Sequence, residues 1–344
     1  MRTAIVLQGG GALGAYEYGV LQALYDQRPG FAPAVVSGTS IGAISAAVLS
    51  GARGDPLAAL DRLWREKLAV PRRSAGSLDP TAWWTPGARR ALAALGNPGM
   101  YRLRPEWLWA PWACTSVYDT APLRATLAEL VDLGTLNSGA VRVILGAVDV
   151  ATAEAVFFDT AERPLTFEDV AASASLPPGF ASTSIGERPY WDGGLFTNTP
   201  LGPAINALEE CDGGDPSVVR ELIVVELFPM AGEVPANMAE VLERMVQLQY
   251  TSRLKLDRKF FRRIDAEVGL FERIDAALPP GSPIRDDEAY RRLRAHRRID
   301  RFTVVSARFP GELADASDFS PTSIDERIRF GYKNAVDAGL GAPS

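Results

Sequence analysis

The amino-acid sequence predicts an α/β fold built on a mainly parallel central sheet. Three observations carry that prediction. An apolar, β-branched run at residues 4–7 stops abruptly at Gly9-Gly10-Gly11. Apolar residues at helical spacing follow it at once. The same order of strand, glycine turn and helix then recurs over residues 35–49, and units of that kind need crossover connections within a parallel sheet. With 344 residues, 47% of them hydrophobic, the chain can bury a substantial core.

The elements are expected in the following order. Residues 4–7 read as a fully buried strand. Leu13, Tyr16, Val20, Leu21 and Leu24 recur at helical spacing and predict a helix over 14–25. Val35 and Val36 form a second short strand that ends at Gly38, and small residues over 41–49 a second helix. Residues 51–140 are less regular, rich in Pro, Gly and Trp. Residues 141–150 and 155–158 read as two strands joined by a turn at Asp149, and residues 167–176 as a short helix stopped by Pro177-Pro178-Gly179. A buried strand follows at 222–228. Residues 237–300 are long, charged and helical, and a strand at 302–309 and an amphipathic helix at 321–338 close the chain. The composition shift places a catalytic domain at 1–230 and a mainly helical extension, packed on it, at 231–344.

Composition excludes several function classes. Cys114, Cys211 and His296 are far apart and are the chain's only cysteines and histidine, so a Cys/His zinc site is not expected. Two cysteines do not make a disulfide-dense scaffold, which favours a reducing compartment. A net charge of −6 argues against nucleic acid as partner of the whole chain. No apolar stretch reaches the roughly 18 residues of a membrane span, and the apolar run after Met1-Arg2 is too short for a signal peptide. The expectation is a cytoplasmic protein, with peripheral contact at a membrane left open, whose mature chain starts at Met1.

Three motifs carry chemistry. Gly9-Gly10-Gly11-Ala12-Leu13-Gly14 matches G-x-G-x-x-G, in which glycines let backbone N–H groups approach an anion at a helix N-terminus. A dinucleotide site also needs a carboxylate at the end of the second strand, and here that strand ends in Ser37-Gly38. Gly38-Thr39-Ser40-Ile41-Gly42 stands in its place and matches G-x-S-x-G, a strand-to-helix turn that exposes a serine nucleophile where the helix dipole favours a developing alkoxide. The competing reading is a tight glycine turn with an incidental serine. The third motif is Asp192-Gly193-Gly194. Asp-Gly is ordinarily a turn, but Ser40 needs a base. The single histidine lies in an Arg-rich helical segment, whereas a carboxylate raised toward neutrality by burial serves equally.

These motifs, in this order, resemble the patatin-like phospholipase family over roughly the first two-thirds of the chain. Ala172-Ser173-Ala174-Ser175-Leu176-Pro177 is also similar to the Ala/Ser-rich segment that precedes the family's aspartate. The resemblance implies a three-layer α/β/α fold and a dyad of Ser40 as nucleophile and Asp192 as base. It also implies an oxyanion hole from the loop of Gly9, Gly10, Gly11 and Gly14, with the N–H groups of Gly10 and Gly11 as donors. Gly38, Gly42, Gly193 and Gly194 support the motifs. No metal or organic cofactor is implied, and the substrate is a lipid or other acyl ester. Leu13 stands where the family commonly has Arg or Lys, which favours neutral esters over phospholipids. The rival readings are a catalytically idle scaffold or membrane-docking protein of this fold, and a nucleotide-binding protein using the glycine loop. The C-terminal third resembles an extension carried by some bacterial members, with Tyr250-Thr251-Ser252-Arg253 and Asp315-Ala316-Ser317-Asp318-Phe319 as its distinctive stretches.

Four further features need placing. Five of the seven tryptophans fall between Trp83 and Trp112. They are expected to pack a subsidiary core beside the site mouth, the alternative being a lid or membrane-docking surface. The arginines between Arg244 and Arg301, interleaved with Asp257, Asp265, Glu267 and Asp286, read as an ion-paired solvated face rather than a lipid-binding one. Asp149 is expected to serve its turn. His296 is assigned no role in catalysis.

Overall fold

The apolar run before the glycine cluster forms β1 (Arg2–Leu7), whose side chains alternate between two cores. Ile5 and Leu7 enter the larger core and Ala4 and Val6 the smaller one on the other face of the sheet. A 3-10 turn over Gly11–Gly14 leads into α1 (Ala15–Gln27), then β2 (Val35–Thr39) and α2 (Ile41–Gly51). The chain is known here from a computed structural model that describes residues 1–71, 92, 94–213, 215, 217–228, 234–236, 238–296, 298–309 and 311–340. Trp83 and Trp84 lie outside the described residues, as do the side chains of Arg253, Lys255, Asp257 and Arg258.

The stretch expected to be irregular holds α3 (Pro56–Asp61), a small antiparallel sheet of β3 (Gly96–Asn97), β4 (Tyr101–Leu103) and β5 (Tyr118–Asp119), then α4 (Ala121–Leu130) and α5 (Leu133–Leu136). In α4, Leu123, Leu127 and Leu130 line one face and are buried; that helical period was hidden among prolines and tryptophans. The antiparallel pair β6 (Arg142–Asp149) and β7 (Ala155–Asp159) follows, then α6 (Phe167–Ser173). Beyond it come a hairpin of β8 (Thr183–Ile185) and β9 (Arg188–Asp192), α7 (Leu201–Cys211) and β10 (Arg220–Glu226). The charged segment forms α8 (Met238–Ala277) and α9 (Glu288–Ala295), and the chain ends in β11 (Arg301–Ser306) and α10 (Pro321–Asp337).

Among the described residues the main sheet has eight strands in the order β11-β10-β1-β2-β6-β9-β8, with β7 on the far edge of β6. The pairs from β11 to β6 are parallel, and those made by β7, β8 and β9 are antiparallel. Helices α1, α2 and α10 cover one face and α7 the other, with Phe261 of α8 beside it, which makes three layers, α/β/α. The last strand pairs with β10 in parallel, and α10 packs along α1, where Asn334 Nδ2 donates to Tyr16 Oη at 2.9 Å. Residues 301–337 therefore share the sheet and core of the N-terminal two-thirds.

The described tryptophans of this stretch do not form the expected subsidiary core. Trp107, Trp109 and Trp112 are 41%, 64% and 83% exposed. They sit on two short 3-10 turns, Pro105–Leu108 and Pro111–Ala113, which are too brief to fold an apolar face inward. Several of the described arginines between Arg244 and Arg301 are ion-paired: Arg263 with Glu267 at 2.9 Å, Arg285 with Asp275 at 2.6 Å, and Arg298 with Asp265 at 3.6 Å.

Candidate active site

Parallel strands place their C-terminal ends, and the turns after them, on one edge of the sheet. The glycine loop after β1 and the Ser40 turn after β2 are therefore neighbours. Ser40 has φ 57° and ψ −124°, a left-handed conformation that costs a non-glycine residue about 1–3 kcal/mol. It is held there by its N–H, which donates to the Ser173 carbonyl at 3.1 Å and approaches Ser173 Oγ at 3.2 Å. Ser173 Oγ in turn donates to the Gly146 carbonyl at 2.6 Å. The flanking glycines are required by close approach: a Cβ on Gly38 would meet the Gly42 carbonyl oxygen at 2.3 Å, and one on Gly42 the Leu7 carbonyl oxygen at 2.4 Å.

Asp192 ends β9, which pairs with the same edge of β6 that β2 uses. Its N–H donates to the Ser175 carbonyl at 3.0 Å, so Ser173 at the end of α6 and Ser175 just beyond it hold Ser40 and Asp192. That explains why α6 ends at Ser173, short of the expected 176: the chain leaves the helix to present these carbonyls. Asp192 is 1% exposed. Oδ1 accepts the Gly194 N–H at 2.7 Å, and Oδ2 is buried with no partner in regular hydrogen-bond geometry among the described residues. Burial pushes its pKa up to about 7, against the opposing pull of the Ser40 hydroxyl, which faces it closely enough to act as a donor, and of the Gly194 N–H. Gly193 lies against the Gly146 carbonyl, where a Cβ would stand at 2.5 Å.

The glycine loop folds back against this pair. A Cβ on Gly9 would stand 2.9 Å from Ser40 Cβ, and one on Gly14 2.7 Å from Ile41. Within the loop, the Gly9 N–H donates to the Asn198 carbonyl at 3.2 Å, Ala12 N–H to Ala316 at 2.8 Å and Leu13 N–H to Gly10 at 3.1 Å. Among the described residues, the N–H groups of Gly10 and Gly11 are given to no protein acceptor, and both glycines are partly open to solvent. Leu13 is 1% exposed and belongs to the main core.

Several supporting residues carried no sequence signal of their role. Asn198 Nδ2 donates to the Gly9 carbonyl at 2.9 Å. Gln8 Oε1 accepts the Leu227 N–H at 2.6 Å while its Nε2 donates to Thr199 Oγ1 at 3.0 Å. From the C-terminal third, buried Arg327 donates to the carbonyls of Leu313 at 3.0 Å, Asp318 at 2.6 Å, Asp315 at 2.7 Å and Ala12 at 3.4 Å. It thereby fixes the segment whose Ala316 carbonyl receives the loop. These are side chain to backbone contacts across the fold, which leave no spacing to read.

The remaining candidates lie elsewhere. His296 Nδ1 is 3.1 Å from Glu209 Oε2, and the ring lines a cavity of about 400 Å³ between α7 and α8, walled by Leu201, Ile205, Phe261 and Ile299. Asp149 Oδ1 accepts the N–H groups of Ala151 at 2.9 Å and Thr152 at 3.2 Å, a turn role.

A sequence profile for patatin-like phospholipases matches residues 5–205, which contain Ser40, Asp192 and the glycine loop. The chain belongs to the patatin-like phospholipase family. A cGAMP-activated phospholipase from Escherichia coli (strain TW11681) is 26% identical to it over 215 residues, covering 56% of this chain. The matched region spans about half of that relative, 52%. The crystal structure of VipD from Legionella pneumophila is similar at 13% identity with a TM-score of 0.41, covering 98% of this chain and 66% of VipD. No helix among the described residues of this patatin-like chain is long and apolar enough to cross a membrane.

Proposed function

We propose that this patatin-like protein is a serine acyl hydrolase that cleaves lipid or other carboxylic esters through Ser40 and Asp192, without metal or organic cofactor. One observation carries the reading: the hydroxyl of a backbone-strained serine faces a fully buried carboxyl whose pKa lies near neutrality. Such a carboxyl is deprotonated often enough to accept a proton and acidic enough to return it. Ser40 Oγ attacks the ester carbonyl carbon and its proton passes to Asp192. The N–H groups of Gly10 and Gly11 hold the developing oxyanion. Collapse of the intermediate breaks the ester C–O bond, and Asp192 returns the proton to the departing alcohol. Water then attacks the acyl-Ser40 ester, giving its proton to Asp192, and the second collapse frees the acid and restores the serine.

The lipid preference is supported by the family and by the exposed Trp107, Trp109, Trp112 and Phe196. Phe196 follows the Asp192 turn directly, its N–H donating to the Gly193 carbonyl at 3.0 Å, so one exposed aromatic ring stands next to the carboxyl turn, where it suits contact with a lipid layer.

The test is fluorophosphonate labelling and p-nitrophenyl ester turnover by wild type, Ser40→Ala and Asp192→Asn. Ser40→Ala is expected to lose labelling entirely, and both variants to lose roughly 10³-fold or more in turnover. Full turnover in either variant removes the dyad. Absence of labelling in wild type favours an idle scaffold.

A further inference from the structure

The C-terminal third places one aromatic side chain beside the carboxylate turn. Tyr250 lies on α8, beyond the residues 5–205 shared with the family profile. Its ring rests on Gly194, where a Cβ would stand 3.3 Å from Tyr250 Cε1. Gly194 supplies the N–H that Asp192 Oδ1 accepts at 2.7 Å. Tyr250 also packs on Phe228, with ring centroids 5.3 Å apart and planes inclined by 35°. Phe228 in turn lies against Gly10, where a Cβ would meet its Cε2 at 3.3 Å. Two stacked rings therefore bridge the turn that carries the carboxyl and the loop that carries the open N–H groups.

We infer that Tyr250 is a positioning residue of this site: with Phe228 it braces the Asp192–Gly194 turn against the Gly10 loop and keeps bulk water off the Asp192 carboxyl. The inference rests on the reading of Asp192 as the base. Few groups act on that carboxyl among the described residues. The β2–α2 turn contributes the Ser40 hydroxyl, the Gly193 turn its own N–H, and α8 contributes Tyr250. The partner strand β6 places Ala147 opposite Asp192, with no charge. The phenol is itself pushed up to about 12, by burial first and by the Asp192 charge second, so it stays neutral through the working range. What it supplies is an uncharged wall. Since burial is the leading cause of the raised Asp192 pKa, removing the wall admits water and lowers that pKa.

The experiment follows the ¹³Cγ resonance of Asp192 in the full-length chain, assigned by its loss in Asp192→Asn, across a pH titration. Wild type, Tyr250→Phe and Tyr250→Ala are compared, with the pH profile of fluorophosphonate labelling at Ser40 measured in parallel. Tyr250→Phe is expected to titrate and label as wild type does. In Tyr250→Ala the Asp192 midpoint falls by about one pH unit or more, the acid limb of labelling moves with it, and the plateau rate drops about tenfold. Tyr250→Leu, which keeps apolar volume without the flat ring, is read in the same way where Tyr250→Ala does not fold. An unchanged Asp192 midpoint in Tyr250→Ala, or in Tyr250→Leu where it stands in, overturns the inference, as does a Tyr250→Phe variant shifted as far as they are. Loss of the dyad reading shows separately, as labelling that survives Asp192→Asn, while the titration still decides what Tyr250 does.

Discussion

Thr39 and Asp192 lie against successive residues of one strand, Thr39 opposite Gly146 and Asp192 opposite Ala147 of β6. β2 arrives parallel and stops, and β9 takes over the same edge running antiparallel. The residue after Thr39 is Ser40, so β6 acts as the ruler that sets serine and carboxyl side by side. Sheet register is held by backbone pairing along whole strands, and a slip of one residue would turn every side chain to the other face. The Ser40–Asp192 geometry therefore inherits the rigidity of the sheet.

The raised Asp192 pKa predicts the pH dependence of turnover. In the proposed dyad the base works deprotonated, so kcat/KM for a neutral ester is expected to rise with pH, bend near about 7 and then level. An ordinary aspartate would have reached its plateau by about pH 5. A flat profile between about pH 5 and 8 would argue that Asp192 is not the titrating base.

The same shift carries a stability cost of opposite sign. The folded-state pKa, about 7, lies above the ordinary value of 3.8. The group therefore favours the folded state fully below about pH 4 and loses that contribution as pH rises through about 7. Asp192→Asn is expected to be more stable than wild type by roughly 2–4 kcal/mol near pH 8, with the gap closing toward pH 4. Thermal or urea unfolding of the two proteins across pH measures it.

His296 sits with Glu209, side chain half exposed, beside the α7–α8 cavity. His296→Ala should leave ester turnover within about threefold of wild type, because nothing ties the imidazole to the proton on Ser40. A loss of a hundredfold would restore histidine as a base.

Arg327 is fully buried and gives its guanidinium to backbone carbonyls, three of them at 3.0 Å or less. Replacing it by Met leaves those carbonyls unsatisfied, which predicts a loss of roughly 3–5 kcal/mol in urea unfolding. The Ala316 carbonyl that holds the loop at Ala12 loosens with it, so Ser40 labelling should slow even in the folded fraction. Normal labelling by a destabilised variant would limit Arg327 to a structural role.

Much of this molecule was determined by sequence alone. The runs at 4–7 and 35–36, each ending in glycines and followed by a helical period, specify buried strands and crossover helices through local side-chain alternation and chain flexibility. Gly38 and Gly42 could be read as required around Ser40 because a tight strand-to-helix turn leaves no room for a Cβ there. Other features could not be read from it. The period of α4 was masked by neighbouring prolines. The hairpin that delivers Asp192 has strands too short to show alternation, and the exposure of Trp107, Trp109 and Trp112 depends on whether any partner surface reaches them. Tertiary structure alone decided that Asp192 is buried, which pushes its pKa up, that Gly10 and Gly11 keep their N–H groups open among the described residues, and that Ala316 and Arg327 from the C-terminal third hold the glycine loop. Those properties arise from contacts between residues distant in the chain, where desolvation and backbone hydrogen bonding act through space and leave no periodic trace in the sequence.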